Sequence, residues 1–334
     1  MARAWHFKSR PDGLPTHDNF EIRDMPPVQL ADGQIRVANS WLSVDPYMRG
    51  RMNDVKSYVP GFQLGEPMGG GALGRVTESK AEGFAEGDLI MHMDGWRDEA
   101  VLDVSGAAGP MSVQKLPDLG VPDQTWLHNL GLTGATAYFG LLKTAEAKAG
   151  DIVFVSAAAG AVGMAVVQIA KQKGMTVIGS AGGADKCKWV MELGADACID
   201  YKAGPVLPQL AKAAPNGIDV YFDNVGGEQL DAAFAVARDW ARFAICGMID
   251  VYNDGQPMEM KYIIRTIPAR IRIQGFIFTD YIEHMSEFMG EMGPWVAGGK
   301  VVARETVFDG LDSTVDAFLG LFSGKNTGKM LVKV

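Results

Sequence analysis

The chain has 334 residues, enough for two domains that each bury an apolar interior. Hydrophobic residues make up 47% and charged residues 21%, an ordinary globular mix, and a net charge of −9 argues against a nucleic-acid surface. No segment has the ~20 unbroken apolar residues of a membrane helix, and MARAWHFKSRPDG lacks an apolar stretch of signal-peptide length, so a cytoplasmic protein without a membrane partner is expected. Three cysteines (Cys187, Cys198, Cys246) with no short-spaced pair argue against a disulfide framework and a Cys-rich zinc site. The five histidines are scattered, none at helical metal-binding spacing from another, so no metal site is expected.

In chain order, residues 1 to about 120 read as all-β. Short apolar runs such as QIRVANSWLSV, GALGRVTES and GDLIMHMDG are cut by Gly, Pro and Asp, which predicts a small barrel. Helical periodicity covers residues 125–147, and βα alternation then begins. Ile152–Ser156 is a buried strand, Met164–Gln172 a helix, Thr176–Ser180 the second strand, Asp185–Leu193 a helix and DACIDY a strand. Pro205 suits the first turn of a helix, because its missing N–H would be unpaired there anyway. DVYFD, ARFAICG and RIRIQGFIF add three strands. This alternation predicts a doubly wound parallel sheet. The tail offers a strand, a helix over Leu311–Ser323 and a last strand Met330–Val334, and is expected to return to the first domain. The fold class is therefore α/β, a small β-barrel domain (1–122 plus 301–334) with a Rossmann domain (123–300), and the active cleft is expected between them.

The stretch DIVFVSAAAGAVGMAVVQIAKQK reads as strand, glycine turn and helix. Glycine lets backbone approach a pyrophosphate, and the helix N-terminus offers its N–H groups to the phosphates. Gly160 and Gly163 fill the last two positions of a GxGxxG pattern, while Ala158 stands at the first. A close helix–strand crossing without ligand is the plainer alternative. At the end of the second strand, where an acid would bind the ribose of NAD, the chain has Ser180-Ala-Gly-Gly. Asp185 falls in the first turn of the next helix and complements its dipole. Its neighbour Lys186 is, from spacing alone, either a partner for a 2′-phosphate or a solvated helix lysine.

Several stretches together carry a family resemblance: DPYMRGRM (45–52), GLTGATAYFGLL (131–142), AAAGAVGMAVVQIAK (157–171), DNVGG (223–227), CGMIDVYN (246–253), QGFIF (274–278) and KNTGKMLVKV (325–334). The chain resembles the medium-chain dehydrogenase/reductase superfamily. Within it, the chain is similar to the zinc-free branch of leukotriene B4 12-hydroxydehydrogenase/prostaglandin reductases and alkenal double-bond reductases. The resemblance covers nearly the whole chain. It implies a GroES-like first domain, a Rossmann second domain, NADP(H) as cofactor, a homodimer, and reduction of the C=C bond of small α,β-unsaturated ketones or aldehydes.

Residue by residue, the resemblance puts the phosphate turn on Gly160, Ala161, Val162 and Gly163. It makes Lys186 the 2′-phosphate lysine and Tyr201 the tyrosine that closes the third strand. Asn224 becomes the nucleotide-facing asparagine. Cys246, Gly247, Met248 and Ile249 belong to a run that ends on Tyr252. The nicotinamide-side loop is Phe276, Ile277 and Phe278, and Asn326 is the asparagine that reaches the cofactor from the other domain. Where the family often has GMPGLTAYFGL, this chain has Leu132 and Thr133 in place of Met and Pro. The Gly-His-Glu segment of zinc alcohol dehydrogenases is matched by Leu64-Gly65-Glu66, and no cysteine precedes residue 187. A catalytic zinc wants three protein ligands, and alcohol oxidation without a Lewis acid lacks its usual means of activating the hydroxyl.

Reducing an enone needs hydride at the β carbon, a donor for the enolate oxygen and a proton for the α carbon. Tyr252 is the candidate donor, because a phenol of pKa about 10 stays protonated at neutral pH; the cofactor ribose is an alternative donor, and a purely packing role is the plainer one. Tyr47 is a candidate substrate-pocket residue, with a buried barrel tyrosine as the alternative, while Tyr138 and Cys246 read as packing residues. Met248, Met258 and Met260 read either as core or as a plastic apolar wall. Two other functions compete: a quinone reductase with the same cofactor site, and a nucleotide-binding sensor without turnover.

Overall fold

The computed structural model describes residues 1–106, 112–253 and 257–334. The chain divides into two compact units, one of Met1–Leu127, Glu305–Asn326 and Met330–Val334, the other of His128–Arg304 and Thr327–Lys329.

The second unit is a six-stranded sheet. Its spatial order is Ala197–Asp200, Thr176–Ala181, Ile152–Val155, Ile218–Asp223, Ala237–Ile245, Arg272–Gly275. Every neighbouring pair runs parallel. Chain order reverses between Ile152–Val155 and Ile218–Asp223, which is the topological switch point where open α/β sheets take ligands. The expected doubly wound sheet is present. Its strands are continuous apolar runs, as burial on both faces demands: Val153, Phe154, Val155, Val220, Tyr221 and Phe222 are all fully buried.

Several expected elements are redrawn. The helix after the glycine turn begins at Ala161, three residues before Met164. Pro205 flanks its helix, Val206–Ala213, with extended ψ instead of opening it. The helical periodicity of 125–147 resolves into a 3-10 turn Asp123–Leu127, an α-helix Leu132–Phe139 and a π-turn Gly140–Thr144. The π-turn sits where a Cβ on Gly140 would overlap the rings of Phe276 and Phe222. Only Arg272–Gly275 of RIRIQGFIF is a strand, because Phe276 turns its ring inward, edge-on to Phe222 at 6.0 Å.

The first unit is built on a seven-stranded sheet. Along it lie Glu305–Asp309, Lys329–Lys333, Gln34–Ser43, Ala72–Ser79, Leu89–His92 and Gln114–Lys115, while Glu99–Asp103 also pairs with Gln34–Ser43. Arg3–Phe7 and Phe20–Asp24 form a separate hairpin-like pair. The expectation of an all-β region fails at DPYMRG, where Tyr47–Arg51 is a five-residue helix led by Pro46 at φ −58°, a value already helical. The tail helix starts as a 3-10 turn, Leu311–Ser313, and becomes α-helical over Thr314–Phe322. Phe318 from that helix packs edge-on against Phe20 and Trp96, at 6.1 and 5.6 Å between ring centres.

His92 lies within this unit and is only 2% exposed. Its Nε2 donates to Asn39 Oδ1 (2.8 Å) and its Nδ1 accepts from the Asp94 amide (3.2 Å), a pair that suits the neutral ring. Burial, and then the Arg97 charge, pushes its pKa down to about 3. Because the folded pKa lies below the unfolded value of 6.5, only the unfolded chain takes a proton as pH falls through that window. We expect stability to be insensitive to His92 above pH 6.5 and to fall below it by up to about 1.4 kcal/mol per pH unit. Urea unfolding of His92→Gln should show a flatter acid limb than the native chain; identical limbs would refute this.

Candidate nucleotide-binding and active site

The glycine turn follows the strand Ile152–Val155. Ala157 adopts φ +49°, a left-handed conformation that costs a non-glycine residue about 1–2 kcal/mol. Its carbonyl accepts from the Gly160 amide (2.9 Å), and the Ala158 amide donates to the Ser180 carbonyl (2.8 Å), so Ala158 serves where the fingerprint has glycine. At Gly163 a Cβ would overlap the Ala157 carbonyl, so the helix Ala161–Gln172 crosses the turn at backbone contact. Gly160 stands at the N-cap without a side-chain cap, which leaves the first-turn N–H groups of Ala161, Val162 and Gly163 to a ligand. The Gly328 amide donates to the Ala159 carbonyl (2.7 Å). An uncapped helix start over a turn with no room for a side chain fits a pyrophosphate.

The second strand ends at Ala181. Ser180 is fully buried and bonded to Gln229, so its hydroxyl is used inside the sheet. Asp185 is exposed in the first turn of the helix Ala184–Glu192, as expected, and Lys186 follows it, partly buried. Tyr201 does not close the third strand, which ends at Asp200; it opens the following turn and is 40% exposed.

At the switch point sits Asp223, fully buried at the end of Ile218–Asp223. Its Oδ1 accepts from the Ser156 hydroxyl (3.1 Å), the Tyr221 hydroxyl (2.7 Å) and the amides of Val225 and Gly226 (2.9 Å each). Its backbone carbonyl takes the amides of Cys246 (2.9 Å) and Gly247 (3.0 Å). Oδ2 is buried without a hydrogen-bond partner among the described residues. Burial raises the Asp223 pKa in spite of these donors. One residue thus holds both DNVGG and CGMIDVY. Asn224 is fixed in turn: its backbone amide donates to Ser156 Oγ and its Nδ2 donates to the Ser156 carbonyl, both at 2.8 Å. Ser156, Tyr221 and Asp223, which hold these two loops together, are not singled out as site residues by any motif; the available signal is an aspartate closing an apolar strand.

Beyond Cys246 and Gly247 the chain enters the 3-10 turn Ile249–Val251, with Met248 packed on the sheet core. Met258 and Met260 pack on that same cluster, in line with the core reading. Tyr252 follows the turn, and its hydroxyl accepts the Met248 amide (3.2 Å). A hydroxyl that accepts an N–H donates its own proton more strongly. The Cys246 thiol is pushed up to about 12, by burial and then by Asp223, so it is a neutral thiol at physiological pH. Phe276 uses its ring for packing; Ile277 and Phe278 lead into the 3-10 segment Phe278–His284. Thr133 is buried with Oγ1 unpartnered among the described residues. Tyr138 bonds Glu287 (3.1 Å) and Glu291 (3.0 Å), in line with a packing role.

Two expected site residues belong to the first unit. Tyr47 begins the short helix Tyr47–Arg51, and its hydroxyl is buried without a hydrogen-bond partner among the described residues; burial and Asp45 raise its pKa. Asn326 follows the helix Thr314–Phe322. Residues 254–256 of the variable loop after Tyr252 lie outside the described residues.

A six-stranded parallel sheet with an uncapped glycine turn at its switch point defines a dinucleotide-binding protein. Residues 3–109 match a family model described as the N-terminal domain of oxidoreductase, and residues 161–293 one described as zinc-binding dehydrogenase. The chain is 40% identical to the NADPH-dependent curcumin reductase of Escherichia coli (strain K12), covering 99% of this chain and 96% of that one. It is 38% identical to the 2-alkenal reductase (NADP(+)-dependent) of Nicotiana tabacum, covering 96% and 94%. The solved structure of CurA in complex with NADPH from Vibrio vulnificus superposes with a TM-score of 0.92 at 40% identity, over 99% of both chains. The chain belongs to the medium-chain dehydrogenase/reductase superfamily, in its zinc-independent branch. Among the described residues no three His, Cys, Asp or Glu side chains gather as a metal site, whatever the second model's description.

The Gly163 contact gives a direct test. Gly163→Ala forces backbone apart in a packed turn, and we expect a loss of about 1–3 kcal/mol with weakened dinucleotide binding. Chemical denaturation and cofactor titration of the variant check both; native values for the two would refute the contact.

Proposed function

We propose that the protein is an NADPH-dependent reductase of the C=C bond of α,β-unsaturated ketones and aldehydes. The observation that carries this reading is the Tyr252 hydroxyl, which accepts a hydrogen bond from the Met248 amide and is mounted on the loop that Asp223 ties to the switch point. The relatives' names, which include NADPH-dependent reductases and an alkenal reductase, support it.

When bound, NADPH supplies the hydride that goes to the β carbon. The chain's own part is to bind and to orient. Gly160, Ala161, Val162 and Gly163 take the pyrophosphate at the helix start, and Lys186 with Tyr201 takes the 2′-phosphate. Asn224, the Cys246–Ile249 segment and the Phe276–Phe278 backbone hold the nicotinamide side. Tyr252 donates to the substrate oxygen as negative charge develops there, alone or together with the cofactor ribose, and water supplies the proton that the α carbon takes up. The neutral Cys246 thiol does not compete for the electrophilic carbon. No metal takes part in these steps.

The chain is also proposed to form a homodimer through the sheet edge. All four residues of Arg272–Gly275 are exposed, with Ile273 at 42% and nearby Ile264 and Ile267 at 66% and 73%; a bare apolar edge of this kind invites pairing. Sedimentation should give twice the chain mass, and Ile273→Pro should return it to one; a native protein of single mass would end this part of the reading.

The activity test uses chelator-treated protein, NADPH or NADH, and an enal, an enone, a quinone and a saturated alcohol with NADP. NADPH-preferring formation of the saturated carbonyl is expected, and Tyr252→Phe should lower kcat by about 10²-fold with little change in NADPH binding. Turnover of the quinone alone would replace the reading by a quinone reductase. Tight NADPH binding without any turnover would replace it by a sensor.

A further inference from the structure

The turn after Ala197–Asp200 carries two side chains across the end of the neighbouring strand. A Cβ on Gly182 would stand 2.5 Å from the Tyr201 hydroxyl, 2.7 Å from its Cζ and 3.1 Å from Lys202 Cε. Tyr201 and Lys202 therefore lie directly against the backbone at Gly182, and only glycine leaves them that place. Lys186, on the helix that starts two residues later, shares the neighbourhood: burial first, and then the Lys202 charge, lowers its pKa. An acid, Asp200, belongs to the group. Asp200 Oδ1 accepts the amides of Gly183 (2.8 Å) and Lys202 (2.9 Å), and so latches the two turns that bear the lysines. Tyr201 has its pKa raised by burial and then by Asp200, which keeps it a neutral donor.

We infer that Lys202 is a specificity-determining residue, the second cation of a clamp that Lys186 and Tyr201 form for a phosphate monoester, and that Asp200 is the positioning residue that sets the clamp. The inference rests on the NADP(H) reading and extends it to residues that reading does not use. Two ammonium groups held close repel each other, and a dianion between them turns that repulsion into attraction. NADH has a ribose hydroxyl at this place and offers no such relief. Lys202 thus contributes to binding of NADPH and nothing to binding of NADH.

Asp200 separates the latch from simple charge. A carboxylate near a phosphate site repels the phosphate, so by charge alone Asp200→Ala would tighten NADPH. If the acid is a latch, Asp200→Ala loosens both turns and weakens NADPH, whereas Asp200→Asn, which keeps an oxygen acceptor, largely preserves binding.

The test is calorimetric titration of NADPH, NADH, 2′,5′-ADP and 5′-AMP into the native full chain and the variants Lys202→Gln, Lys186→Gln, Asp200→Ala and Asp200→Asn, each checked for a native melting profile. Lys202→Gln is expected to weaken NADPH and 2′,5′-ADP about tenfold and to leave NADH and 5′-AMP within about twofold. An unchanged NADPH-to-NADH ratio in Lys202→Gln, with a fall in Lys186→Gln, would overturn the role of Lys202 while leaving the cofactor reading intact. A native chain that binds NADH as tightly as NADPH would overturn the cofactor reading and the clamp with it. Tighter NADPH binding by Asp200→Ala would overturn the latch.

Discussion

A carboxylate buried at the centre of a sheet has to be solvated by the protein itself, and in this chain that requirement organises the ligand side of the second unit. Asp223 has no exposed surface, and its Oδ1 draws in Ser156, Tyr221, Val225 and Gly226. Each donor belongs to a segment that must therefore be where the carboxylate is: the end of Ile152–Val155, the strand Ile218–Asp223 and the start of DNVGG. Through its carbonyl the same residue fixes Cys246 and Gly247, and so the approach to Tyr252. Removing the carboxylate would leave hydroxyls and amides buried without acceptors, which costs more than the bonds themselves gain.

The sheet was legible in the sequence because its signals are local. IVFVS, TVIGS and DVYFD are apolar runs of strand length bounded by turn residues, and the glycine turn between the first two sets the crossover. What the sequence hid depends on residues far apart along the chain. The π-turn at Gly140 answers to Phe276, and no window around residue 140 contains that ring. Arg272–Gly275 stops short for the same reason, because Phe276 is more stable inside than on an edge. The early start of the helix at Ala161 was hidden differently: small residues around a glycine read as loop, although they are also the residues that allow helix and strand to touch.

The candidate site follows the same division. The turn Gly160–Gly163, the run Cys246–Ile249 with Tyr252, and Lys186 stand out as motif positions, and each occupies a loop or helix start at the carboxyl end of the sheet. The supporting residues do not stand out. Ser156, Tyr221 and Asp223 are ordinary residue types in ordinary places until the strands are aligned, and the Gly182 contact with Tyr201 and Lys202 exists only once the second and third strands are neighbours. Motif and resemblance picked out the candidate positions; tertiary pairing was needed to find the residues that hold their loops.

The bond from the Gly328 amide to the Ala159 carbonyl bears on how the chain is made. Thr327–Lys329 completes the second unit, yet it lies between segments that belong to the first. During vectorial synthesis the glycine turn emerges early and waits, its Ala159 carbonyl without this partner, while the rest of the unit and part of the other are translated. The nascent sheet can assemble in that interval, but the turn cannot reach its final rigidity until the residues around 328 leave the ribosome. A chain interrupted upstream of these residues would carry the motif without this bond.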